Sequence, residues 1–210
     1  LYSFFGFVWY RAWIRPLVPN LEAVPEAERR YYEDFIVTVK NNPNNVDLSR
    51  DVMFTLMTPA QAAANRQGFD THVFPRLDAI EATLAPLAGE PVFRDLLVRV
   101  RALRAWTTAQ RNVCAWTEGV YGYLGTSDPA ERARHRAALQ EMMDLDIQNT
   151  RLLLALWEQQ ETEWILVSAA GETTFVFGPN LGDHLQRKIE LTERYRDAEP
   201  YIDPDVLWRI

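Results

Sequence analysis

Two proline-bearing helix starts, followed by long runs of helical hydrophobic spacing, confine this chain to one class of fold. Thr58-Pro59-Ala60-Gln61 and Asp128-Pro129-Ala130-Glu131 each put a capping side chain ahead of a proline, with Gln or Glu three residues on. That is the pattern of a capping box with proline at the first helical position. The first box predicts a helix that stops at Gly68. Asp70 or Thr71 is then expected to cap a second helix over residues 70–87, with Val73, Leu77, Ile80, Leu84 and Leu87 as a seam of alternating four- and three-residue steps. Beyond Gly89, residues 91–124 repeat the seam through Phe93, Leu96, Val100, Leu103, Thr107, Gln110, Cys114, Thr117, Tyr121 and Leu124. The second box predicts a helix over 128–163, reaching at most Ala170, with Gly171 as its stop. Met142, Met143, Leu145, Leu152, Leu153, Leu156 and Trp157 supply its core face, and Trp164 shares a side with Trp157. Helices joined by loops this short are antiparallel neighbours. The expected fold is all-α: an antiparallel bundle of three long helices with shorter flanking helices and an extended C-terminal tail.

The flanks carry the rest. Leu1, Phe4, Phe5, Val8, Trp9, Ala12 and Trp13 form a helical stripe that Pro16 ends, while Phe7, Tyr10 and Ile14 lie off it. A helix apolar on several sides needs covering on several sides, and the expectation is that it packs on chain beyond these 210 residues. Residues 1–24 therefore read as an aromatic helix and a proline-rich connector, and residues 25–210 as the helical bundle, one domain overall and part of a larger chain. Within the latter, helices are expected over 25–40, with Tyr32, Phe35, Ile36 and Val39 inward, and over 48–57. Between them NNPNNVD (41–47) makes a polar loop. Residues 172–179 are β-prone, residues 180–196 read as a last helix with Leu181, Leu185 and Ile189 inward, and the apolar tail is expected to wrap back onto the bundle.

Composition excludes some classes of partner. A net charge of −7 offers no basic patch for nucleic acid or for an anionic membrane surface, and no apolar run is long enough to span a bilayer. The single cysteine rules out an intrachain disulfide, which suits a cytoplasmic or a disulfide-free secreted protein, the former favoured.

No glycine-rich phosphate loop, CxxC or GxSxG occurs. Cys114 falls on a buried seam, where a thiol is inert. Glu131 and His135 are four apart but lack facing ligands, so no metal site and no cofactor is expected. Carboxylates that could pair across a sugar (Glu33, Asp34, Asp47, Asp51, Asp144, Asp146, Glu158, Glu161) are too many for spacing to choose among. Arg94, Arg99, Arg101, Arg104 and Arg111 are expected to find acidic partners, mostly on neighbouring helices. The aromatic opening is different: Arg11 and Arg15 sit beside Trp9, Tyr10 and Trp13, a surface suited to an acidic sugar. With Asn44 and Asn45 of the polar loop, these are the candidate ligand-binding residues. The polar mid-seam at Thr107 and Gln110 is a second candidate place for a small molecule.

The Trp/Arg-rich helix, the Asn-rich loop, the long helices and a tail ending IDPDVLWR together resemble the helical region that follows the catalytic barrel of large bacterial glycoside hydrolases of the α-glucuronidase type. The resemblance implies an accessory domain of a carbohydrate-active enzyme, packing on the catalytic domain or mediating dimerisation. The catalytic residues would lie outside this chain. The alternative is a free-standing helical module for protein interaction or homodimerisation.

Overall fold

The computed structural model describes residues 14–28, 57–159 and 181–202. Five helices are defined there: α1 (Pro59–Gly68), α2 (Phe74–Leu84), α3 (Pro91–Leu124), α4 (Pro129–Gln159) and α5 (Leu181–Tyr195). The described residues contain no strand, and the chain is all-α. The expected helices at 48–57 (Met57 apart) and the β-prone stretch 172–179 lie outside the described residues, as do Trp164 and all but the first turn of the helix expected at 25–40.

Both proline starts are used. Thr58 accepts from the Gln61 backbone while Gln61 Oε1 takes the Thr58 N–H at 3.0 Å, a complete capping box. At the second, Asp128 accepts from the Ala130 N–H at 3.0 Å, but Glu131 turns to the Thr126 hydroxyl instead of reaching back, so only half of the expected box forms.

The stop expected at Gly68 does not occur. Gly68 keeps right-handed helical angles, and the chain passes into a wide π turn, Phe69–Val73, before α2. The cause is Pro75, whose ring cannot donate and would strike the carbonyl four residues back. Widening the turn moves that carbonyl aside, and the Phe74 N–H bonds the Phe69 carbonyl. Thr71 does not cap; its hydroxyl donates to the Gln67 carbonyl at 2.7 Å. Asp70 also does not cap, and pairs with Arg111 at 3.1 Å.

Contacts between α3 and α4 run in opposite order. Ala105 meets Asn149, Asn112 meets Asp146, Gly119 meets Leu139 and Gly122 meets His135. These two helices are therefore antiparallel neighbours across the short link 125–128. A ladder of ion pairs fastens the α1–α2 stretch to α3 in the same opposed sense: Arg66 with Glu118, Asp70 with Arg111, and Asp78 and Glu81 with Arg104. The acidic partners expected for Arg101, Arg104 and Arg111 are those of α2 and the π turn; Arg99 pairs with Asp95 on its own helix, and Arg94 donates to the Ala88 and Gly89 carbonyls.

The expected seams need correction. On α3 the inward row includes Leu97, Val98, Ala102, Ala105, Ala109, Val113, Trp116, Gly119 and Val120, while Leu96, Leu103 and Leu124 of the expected seam are exposed. On α2 only Leu77 is buried and Ile80 is exposed, as is Leu87 in the turn that follows; on α4, Met142, Met143 and Leu153 are buried but Leu145 and Leu152 are not. The heptad reading follows the largest side chains. The inward row of α3 instead mixes small residues such as Ala105 and Gly119 with Val113 and Trp116, and at Gly119 the Leu139 side chain lies against the helix backbone. Leu181, Leu185 and Ile189 of α5 do face inward.

Residues 14–19 do not run over the surface. Ile14 and Leu17 belong to the same core cluster as Trp116, Met143, Leu153 and Leu185. Pro16 and Pro19 bring no N–H to satisfy there. The Val18 carbonyl accepts from Trp116 Nε1 at 2.7 Å and the Pro19 carbonyl from the Tyr201 N–H at 3.2 Å. The chain near 200 thus folds back on the connector, with Asn20 and Tyr201 forming a parallel bridge.

Gly119 and Gly122 make a discriminating pair. A Cβ at 119 would lie 2.7 Å from the side chain of fully buried Leu139, and one at 122 would lie 2.3 Å from the ring of half-buried His135. Gly119→Ala should lower the unfolding free energy by about 1–3 kcal/mol through overpacking. At Gly122 the imidazole can swing outward and alanine gains about 1 kcal/mol of helix propensity, so Gly122→Ala should be near neutral. Urea melts of the two variants check this.

Candidate functional site

Of the seven candidate ligand-binding residues, Trp9, Tyr10, Arg11, Trp13, Asn44 and Asn45 lie outside the described residues. Arg15 is described and is inside, with 6% of its surface exposed. Glu131 is exposed, whereas His135 packs over Gly122; among the described residues no group of three or more His, Cys, Asp or Glu is placed to hold a metal. Asp144 is neutralised by Arg196 at 2.8 Å. Thr107 returns its hydroxyl to the Leu103 and Arg104 carbonyls, so that half of the polar mid-seam is spent locally.

The densest buried polar chemistry was not legible in the spacing. Asp146 of α4 is fully enclosed and forms an ion pair with Lys188 of α5 at 2.8 Å. Its other oxygen accepts from Asn112 Nδ2 of α3 at 3.2 Å. Thr150 and Thr192 donate to the backbone carbonyls of Asp146 and Lys188. In the sequence Lys188 reads as a solvated lysine on an amphipathic helix; only its place on the inward face with His184 and Thr192 distinguishes it. The cluster is sealed on all sides and presents no atom to a substrate. Its role is to lock three helices in one register.

A groove of about 580 Å³ runs between α1, α3 and α4. Ala63, Ala115 and Gly119 lower its floor, and Arg66, Glu118 and Tyr121 stand on its walls. Arg66 gives Nε and Nη2 to the two Glu118 oxygens at 2.6 and 3.1 Å, a fork that holds the guanidinium still more firmly protonated. Burial pushes the Tyr121 phenol up, away from acid–base work at neutral pH. Arg66 and Arg111 both already have carboxylate partners, so the groove does not offer an open anion site. Deeper in the core, burial first and the Glu118 carboxylate second push the Cys114 thiol from 9.0 up to about 12.

What the surface does offer is apolar. Val92, Leu96 and Leu103 are 62%, 43% and 45% exposed, and at 100° per residue they fall within about 40° on one face of α3. Ile80 and Leu87 are exposed on the preceding helical stretch. Asp95 and Arg99, the polar residues interleaved with that row, pair with each other at 2.8 Å.

No family model, curated protein or solved structure matches the chain.

The lock makes a double-mutant cycle decisive. Asp146→Leu or Lys188→Met alone strands a buried charge and should cost about 3–5 kcal/mol, whereas the double variant should recover most of that loss, as urea denaturation would read. For Cys114, the folded chain holds its proton where the unfolded chain has lost it. Stability should therefore fall as pH rises between about 9 and about 12, and less so in Cys114→Ala. At pH 8 the native thiol should resist Ellman's reagent and react only in denaturant.

Proposed function

We propose that this chain is a non-catalytic helical module that packs, through the exposed face of α2 and α3, on the surface of a partner protein domain. The observation that carries the reading is the row Val92, Leu96 and Leu103, aligned on one helix face and left open. Isolated exposed leucines are ordinary, but three large apolar side chains aligned on one helix face are a feature of the kind partners cover. Each such side chain contributes about 1.5–3 kcal/mol when fully enclosed. The absence of a metal cluster, an activated thiol or an open cationic pocket among the described residues fits a role in holding rather than in chemistry.

The resemblance drawn from the sequence supplies a narrower form of the proposal. The partner is then the catalytic domain of a carbohydrate-active enzyme, and this chain is its accessory domain. Homodimerisation is the other form.

Sedimentation velocity and hydrophobic-dye binding test the reading. The wild-type chain should self-associate or bind dye. Leu96→Glu with Leu103→Glu should leave a monomer of unchanged far-UV circular dichroism with dye binding reduced several-fold. A dye-silent wild-type monomer, or turnover of aryl glycosides by the isolated chain at an enzyme-like rate, would overturn the proposal.

A further inference from the structure

The wide turn at Phe69–Val73 borders a cleft of about 400 Å³ between the α1–α2 stretch and α3. Phe69, Val73 and Gly68 line one side, Gln110 and Cys114 the other, with Asn65 at the border. π turns within helices recur at functional sites, because they displace side chains and open the helix surface. Here the proline accounts for the turn, so the turn alone decides nothing.

Two further observations point to an occupant. Gln110 is nine-tenths buried, and its amide nitrogen is enclosed with no hydrogen-bond acceptor. The neighbouring polar groups are engaged, since Asn65 Nδ2 and Cys114 Sγ both lie against the Met57 sulfur, at 3.4 and 3.9 Å. And a Cβ built at Gly68 would meet nothing within 4 Å, so this part of the wall faces open space. An orphaned amide in a bundle core costs stability that leucine at 110 would not. The last torsion of a glutamine is broad, so the amide can rotate to offer its N–H to an oxygen seated in the cleft. No lining residue carries a charge, and the volume falls in the range of small-molecule sites.

We propose that this cleft binds a small, neutral, ring-containing molecule that bears a carbonyl, the ring lying against Phe69 and Val73 and the carbonyl oxygen accepting from Gln110 Nε2. The ligand class follows from the lining: apolar walls select the ring, the absence of charge disfavours carboxylates and phosphates, and one neutral donor selects one acceptor.

The test uses acetophenone and its hydrocarbon isostere α-methylstyrene, followed on the ¹⁵N-labelled chain by NMR. Acetophenone should give saturable shifts at the Gly68, Phe69 and Val73 amides and at the Gln110 side-chain amide, and should bind about tenfold more tightly than the isostere. Gln110→Leu should erase that preference while melting no lower than wild type. Gly68→Ala, which puts a methyl group into the open part of the cleft, should weaken both probes while preserving the fold. Absence of saturable shifts at these residues, a preference that survives Gln110→Leu, or unchanged affinity in Gly68→Ala would each overturn the proposal.

Discussion

Asp146 is the point through which three helices are held to one another. Removing a carboxylate and an ammonium from water costs several kcal/mol for each ion, and their attraction offsets that cost only when the geometry is close and the remaining lone pairs are used. Lys188 at 2.8 Å and Asn112 at 3.2 Å reach the two carboxylate oxygens from two different helices. Sliding α4 or α5 by one turn would separate the ion pair and leave a charge alone in the core, and sliding α3 would remove the Asn112 hydrogen bond. The cluster thus selects one arrangement among the many that an alanine- and leucine-rich interface would tolerate.

The remaining contacts are consistent with that register. Gly119 lets Leu139 lie directly on the α3 backbone, and the forked Arg66–Glu118 pair ties α1 to the next residue along the same helix. Trp116 reaches the Val18 carbonyl, so a proline-rich segment that could have stayed on the surface becomes part of the core. α3 is enclosed from several directions over its C-terminal half and open along its N-terminal half, where the exposed leucines are.

That asymmetry links the fold to the proposed role. Charged chemistry in the described residues is largely internal to the chain: arginines of α1 and α3 are matched by carboxylates of α2, α3 and the π turn. The aligned apolar side chains Val92, Leu96 and Leu103 lie on a helix anchored by the core, a suitable platform for the proposed partner domain. The cleft beside the π turn is separate from it, with its own polar group in Gln110.

By itself the sequence determined the limits of α3 and the starts of α1 and α4, because capping boxes, proline positions and hydrophobic period act locally. It also determined the inward row of α5. Tertiary structure alone decided which faces meet. A heptad pattern weights Leu96 and Leu103, but close approach depends on Ala105 and Gly119, whose small side chains carry almost no hydrophobic signal. Lys188 and Asp146 look like solvent-facing charges until three helices enclose them, and the polar mid-seam singles out Gln110 without showing the π turn and the cleft beside it. Those outcomes arise from which atoms are brought together across the chain, and no local pattern contains that information.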